Sequence, residues 1–267
     1  MSKRNLTGYE QYYYKQGKRK SGRKSFFAFL FVIIVISVVI FFSISFSQFL
    51  TVSKVVNVNT NYIVTEKYVY GLSLGNFSKT EDANNFSDDL KKQGGAGAIY
   101  FENEYKVLSS IYPTINEAKS VQKNLKELGT ESEIVKICLN PLNFNVNLSS
   151  NSQKILSESI NLFYNSYKSL YDYSILFDKK EIDAIKAKEN IFSLLERNKK
   201  IIEKYNDYFK TSSNVCILYT KIYLSKLNQI VSNLNNCDEK SNLSCEIKNS
   251  YCDVIFLYIN FTNDIDF

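Results

Sequence analysis

The chain has 267 residues, with no His, no Trp, nine Gly, two Pro and five Cys. Without His there is no imidazole base, no Ser-His-Asp triad and no His-ligated metal, and so little Gly and Pro excludes collagen-like and loop-rich disulfide scaffolds. The formal charge of +6 lies wholly in residues 1–24, where eight Lys or Arg face only Glu10; the other 243 residues carry 25 bases and 26 acids, so overall basicity is no argument for a nucleic-acid partner.

Residues 1–24 form a basic tail, and 25–53 carry no charge. The stretch Phe26 to Leu50 is dominated by Phe, Ile, Val, Leu and Ser. Its 25 residues exceed the roughly 20 that a spanning helix needs and the 7–15 of a signal-peptide core. The segment 25–53 is therefore expected to be an uncleaved transmembrane helix. Lys15, Lys18, Arg19, Lys20, Arg23 and Lys24 crowd its N-terminal side and Lys54 stands alone after it. By the positive-inside rule the N-terminus is cytoplasmic and everything after the span is extracytoplasmic. Residues 54–66 read as a short stalk.

The segment 67–137 repeats itself at an offset of 35 residues. Phe77, Ala83, Leu90 and Gly94 recur as Tyr112, Ala118, Leu125 and Gly129. Each unit begins with a period-two alternation (Tyr70, Leu72, Leu74; then Tyr105, Val107) and continues as an amphipathic helix ended by Gly. Thr80 and Thr114 are expected N-caps, and Thr114 with Glu117 makes a capping box. Short strands follow at Ala96 to Phe101 and Glu131 to Ile137. The order β-α-β-β-α-β predicts an antiparallel sheet with both helices on one face, a ferredoxin-like arrangement. Tyr70, Leu72, Leu74, Tyr105 and Val107 should face the helices. Gly71, Ser73, Lys106 and Leu108 should then line an open face, a shallow groove that could bind a ligand. An RNA-recognition module of the same topology would need aromatics there, and none is present.

Residues 150–267 contain neither Gly nor Pro, and their 15 bases balance 15 acids. Apolar residues recur at helical spacing in four sets, with breaks near Phe177-Asp178, Thr211–Ser213 and Asn235–Asn242. Asp178 with Glu181 reads as a helix start. Four helices with short links predict a bundle, its many Tyr at the edges of the core. Cys237 and Cys245 flank the last link and could staple it by a disulfide; Cys138, Cys216 and Cys252 make the total odd. No spacing singles out a metal site, a cofactor or a catalytic constellation, and the chain reads as a non-enzyme.

The segment Val69 to Ala83, with Leu74-Gly75-Asn76-Phe77-Ser78 inside it, resembles the first half of a SPOR domain, where Gln-Val-Gly-Ser-Phe-Ser and then Asn-Ala are usual. Tyr105-Lys106-Val107 and Ser110-Ile111-Tyr112 resemble its second half, Tyr-Arg-Val and Gly-Pro-Phe. The resemblance implies binding to bacterial peptidoglycan, with preference for glycan strands stripped of their peptides. It places the glycan site at Ser73, Asn76, Ser78, Asp82 and Lys106. Ser73 stands where Gln is usual, Asp82 where Asn is, Lys106 where Arg is, and Ser110 where Gly is. The segment 61–137 holds nine Lys and eleven acids, so recognition would rest on local hydrogen bonds and not on bulk charge. The expectation is an α+β chain: a membrane anchor helix, a βαββαβ SPOR-type domain over 67–137 and an all-α bundle over 150–267. Its partners would be the lipid bilayer and glycan strands at sites of division or sporulation, with the bundle free to meet another envelope protein. The alternative is an interaction scaffold whose α/β domain has lost glycan binding.

Overall fold

The computed structural model describes residues 61–63, 67–145, 148–237 and 242–265. The basic tail and the apolar segment 25–53 lie outside the described residues, and with them the expected anchor. Among the described residues no helix is long and apolar enough to cross a membrane.

The first half is a four-stranded antiparallel sheet with two helices. In chain order these are β1 (Asn61–Ile63), β2 (Lys67–Phe77), α1 (Thr80–Lys92), β3 (Ala98–Phe101), β4 (Tyr105–Tyr112), α2 (Ile115–Glu127), β5 (Glu133–Leu139) and β6 (Asn143–Asn145). The main sheet runs β3-β4-β2-β5, so the repeat's two leading strands, β2 and β4, pair at its centre. β1 pairs separately with β6, Asn61 opposite Asn145, so three residues of the expected stalk belong to a two-stranded ribbon.

The two repeat units end their helices identically. Gly94 and Gly129 adopt φ of 87° and 77°, a conformation that costs a residue with a Cβ far more than it costs Gly. In each unit the next residue's N–H reaches back to the carbonyl of Leu90 or Leu125, and the glycine's own N–H to that of Lys91 or Lys126. Ala83 and Ala118 are both fully buried beneath their helices. At the helix starts the units differ. Thr114 and Glu117 form the predicted reciprocal capping box. Thr80 is the first helical residue of α1, not its cap; Lys79 precedes the helix and contributes no side-chain cap.

The second half is four helices: α3 (Ser150–Asp178), α4 (Ala184–Tyr208), α5 (Val215–Asn235) and α6 (Leu243–Ile265). Each packs on its neighbours in sequence, and α6 closes the ring against α3. Asp178 ends α3 and does not start α4; Asp183 caps α4, accepting from the Lys186 N–H. Tyrosines fill the core and do not merely edge it. Tyr167, Tyr205 and Tyr251 are each at most 1% exposed, and Tyr167 and Tyr171 meet Tyr251 edge-on at 6.0 and 5.8 Å. All five cysteines are free thiols, so the Cys237–Cys245 staple is not formed. The Cys237 thiol instead takes a contact from Lys188 Nζ at 3.0 Å, while Cys245 is buried on the first turn of α6.

The second face of the sheet is not open. Gly71, Leu108, Ile111, Val135 and Ile137 share that face, and the last four are between 0 and 4% exposed. They join the bundle's apolar residues in one continuous core. α6 crosses this face, touching β3, β4 and β5. Phe256 stacks on Tyr100 of β3 at 5.9 Å, and the Tyr258 hydroxyl donates to the Asn140 carbonyl beyond β5. On the α3 side, Lys67 lies over the Tyr164 ring at 3.8 Å. Gly71, expected to leave room for a ligand, leaves it for the core. A Cβ there would stand 2.9 Å from a Leu108 methyl and 3.4 Å from one of Ile137. The small residue permits close packing and does not carve a groove.

Candidate functional site

What remains of that face is its end at the β2–α1 turn, beyond the reach of α6. Two register shifts in the β2–β4 ladder, at Leu72/Ser73 and Ser73/Gly75, increase the local twist there and set Asn76 opposite Lys106. On the other side of β2, Ser73 stands opposite Glu133, the first residue of β5. Plain alternation would put Ser73 and Asn76 on opposite faces; the extra residue Leu74 between them restores one face, so Ser73, Asn76, Lys106 and Glu133 come together.

They form one hydrogen-bonded cluster. Asn76 Nδ2 donates to Glu133 Oε2 at 2.8 Å, and Lys106 Nζ reaches both oxygens of the same carboxylate at 2.9 and 3.0 Å. Glu104 adds a second carboxylate 3.5 Å from the Lys106 ammonium. Ser73 Oγ lies 3.0 Å from both Asn76 Oδ1 and the Gly75 carbonyl. The Asn76 amide bond and then Lys106 hold the Glu133 carboxyl below its ordinary range. Burial alone would lower the Lys106 ammonium, but the Glu133 bond and charge, backed by Glu104, raise it overall. Both groups are therefore ionised at neutral pH.

The five expected glycan residues divide by accessibility. Asn76, Ser78 and Asp82 are exposed along the turn and the first turn of α1. Lys106 is 7% exposed and Ser73 1%. A hydroxyl enclosed to that degree, with its donor already engaged, has no surface to offer a sugar. Ser73 instead braces Asn76 from within. The expectation of a sugar contact at Ser73 thus gives way to a supporting role, because its hydroxyl is enclosed and engaged with the Gly75 and Val107 carbonyls and with Asn76. Glu133 was not among the expected residues, although it carries the cluster's only carboxylate bonded to both Asn76 and Lys106. Its only signal in the sequence is its place within the last predicted strand, Glu131 to Ile137; the register that sets it opposite Ser73 comes from the pairing of β2 with β5.

Ser110 shows what one departure from the SPOR pattern does. Its hydroxyl meets the Tyr251 hydroxyl of α6 at 2.5 Å. Burial pushes that tyrosine well above its ordinary value, so it stays neutral and can donate or accept. The side chain that a glycine would lack ties the sheet to the bundle. Among the described residues no group of Cys, Asp and Glu is placed to hold a metal ion.

Comparison with known families matches residues 66–136 to the SPOR domain. The match runs from β2 into β5 and leaves the four-helix bundle outside it. Neither the curated proteins nor the solved structures yielded a match.

Proposed function

We propose that the chain is a membrane-anchored peptidoglycan-binding protein, held by 25–53 with its N-terminus in the cytoplasm, and that its SPOR domain recognises glycan strands stripped of peptides where the wall is being remodelled. The observation that carries this reading is the match of residues 66–136 to a domain type that binds peptidoglycan. The polar cluster at the β2–α1 turn supports it. Asn76, Ser78 and Asp82 offer hydrogen-bonding groups to sugar hydroxyls, and Lys106 offers a cation for the lactyl carboxylate of muramic acid, once Glu133 yields it. The role is binding and not catalysis.

A second reading is favoured by α6 lying across the sheet face: a scaffold in which the domain serves as a partner for helices and the bundle meets another envelope protein. Retention of the full chain, in detergent, on purified wall sacculi separates the two. Glycan recognition requires retention that rises after amidase removes the peptides. Equal loss to the supernatant before and after digestion selects the scaffold. Protease added to intact protoplasts tests the topology, since it should remove the chain beyond residue 54 and spare the tail.

A further inference from the structure

One end of the bundle has an apolar surface, edged mainly by lysines, that the rest of the fold does not cover. α3 begins, α4 ends and α5 begins at this end: the Tyr208 hydroxyl meets Ser152 Oγ at 3.1 Å, and the Tyr205 hydroxyl donates to the Ile217 carbonyl at 2.9 Å. Val215, Leu218 and Ile222 form an i, i+3, i+7 stripe on the outer face of α5. They are 56, 44 and 50% exposed, and Tyr208 beside them is 42% exposed. Three large apolar residues on one exposed stripe are not the scattered singles of an ordinary surface.

Charge sorts this patch from the other exposed apolar residues. Between Asp207 and Asp238 the sequence contains no acid, while Lys210, Lys221 and Lys226 are all exposed. Carboxylates border it at Asp207, exposed beside Tyr208 at the end of α4, and at Asp264 on the last turn of α6, which accepts from the Tyr223 hydroxyl. Ile185 and Phe192, also exposed, lie toward the opposite end of α4, where Lys179 is paired with Glu181 and Lys186 with Glu189, and Asp183 adds a further carboxylate. An apolar stripe flanked by lysines suits a bilayer with anionic headgroups better than one whose lysines are paired with carboxylates.

The path of the chain puts such a bilayer at this end. β1 pairs with β6, and β6 ends only four residues before Ser149, the cap of α3. The polypeptide therefore enters the folded part beside the start of α3, where Tyr208 and α5 also begin their exposed surface. From Ser53, the end of the uncharged segment, to Asn61 is eight residues, a reach of at most about 28 Å. We infer that the Tyr208–Val215–Leu218–Ile222 surface, with Lys210 and Lys221 around it, rests on the anionic phospholipid surface from which the chain emerges, holding the SPOR domain at the far side. This rests on the reading of 25–53 as a membrane anchor.

The absence of Trp from the chain supplies the reporter. Leu218→Trp, with Ile222→Trp as a second site, and Ile185→Trp as the distal control, would each give the full-length protein a single tryptophan. The proteins are reconstituted in lipid nanodiscs containing phosphatidylglycerol and a lipid carrying a headgroup nitroxide. The expected result is loss of emission at positions 218 and 222, none at 185, and recovery at 218 when Lys210→Glu and Lys221→Glu are added. Emission unchanged at 218 and 222, in protein that stays with the discs through alkaline carbonate, overturns the inference and leaves the anchor intact. Equal loss at 185 overturns it as well, since the bundle then has no fixed side toward the lipid. Protein recovered free of the discs overturns the anchor and the inference with it.

Discussion

Lys248 Nζ of α6 lies 2.7 Å from Asp178 Oδ2 on the last turn of α3 and also donates to the carbonyl of Gly94, the glycine that ends α1. The pair is a charge contact more than an aligned hydrogen bond, and the other Asp178 oxygen accepts from Ser244. Both side chains are at most 10% exposed. One ammonium thus joins two bundle helices to the SPOR domain. Removing one partner of a buried pair leaves an uncompensated charge, at a cost of about 3–5 kcal/mol. Lys248→Met should lower stability by that order in urea titration of the full chain. The double variant Lys248→Met, Asp178→Leu should recover most of the loss; no recovery would mean that packing, and not charge, is what Lys248 supplies.

Covering the second sheet face has a consequence for truncation. A fragment ending at Asn145 would expose Val69, Leu108, Ile111, Val135 and Ile137, all buried in the full chain. Composition changes near residues 138–150 suggest two separable pieces, but the core runs through both. The fragment 61–145 should bind a hydrophobic dye and melt well below the full chain. A fragment as stable as its parent would show that the bundle is only resting on the sheet.

The helices, the strand order and the repeat were legible because each rests on local pattern: period two, period 3.6 and glycine at a left-handed position. The covering of the sheet is not legible in this way, because alternation separates two faces without saying what lies against either. A signal was nevertheless present. Val107-Leu108 and Ile111-Tyr112 in β4, and Ile134-Val135 with Ile137 in β5, are adjacent apolar residues, as expected of strands buried on both sides. The two irregularities of the β2–β4 ladder, one extra residue on β4 (Ser109) and one on β2 (Leu74), are invisible for a similar reason, since they arise from the pairing and leave no mark on either strand alone. Hence Ser73 was placed on the right face but given the wrong surroundings.

The duplicated caps make a paired prediction. Gly94→Ala and Gly129→Ala should each cost about 1 kcal/mol, because each forces a Cβ into a left-handed conformation. At the end of α3 the same hydrogen-bond pattern is built on Lys180 with φ of 58°. There Lys180→Gly should stabilise by up to about 1 kcal/mol. Thermal unfolding of the three variants checks the signs, and opposite signs at 94 and 129 would break the equivalence of the repeat units.

Asp253 gives a pH dependence. Burial raises its carboxyl from 3.8 to about 6, with Lys91 opposing and Glu246 adding to the shift. A carboxyl that holds its proton more tightly when folded favours the folded state most below its unfolded value. That contribution fades as pH rises from about 4 toward 6, and above 6 the folded chain carries the whole cost of a buried carboxylate, about 2–3 kcal/mol at most. Asp253→Asn should raise the urea midpoint at pH 7.5 and leave it nearly unchanged at pH 4. An equal effect at both values would locate its cause outside this titration.

Glu133 competes with any glycan for Asn76 and Lys106. Half of its side chain is exposed, so it can swing away without disturbing the core, whereas Lys106 is enclosed and stays in place. Glu133→Ala should therefore free the amide and the ammonium for a sugar hydroxyl and a muramic carboxylate. A charged hydrogen bond contributes about 1.5–3 kcal/mol, which corresponds to tenfold or more in affinity. Retention on amidase-treated sacculi should rise with Glu133→Ala and fall with Asn76→Ala. Lys106→Ala should fall furthest, provided circular dichroism shows it folded. Ser73→Ala should weaken binding only mildly, through a less firmly held Asn76. If Glu133→Ala and Asn76→Ala both leave retention unchanged, the cluster is a structural brace at the end of the sheet, and glycan contact must be sought at Ser78, Asp82 and the outer face of α1.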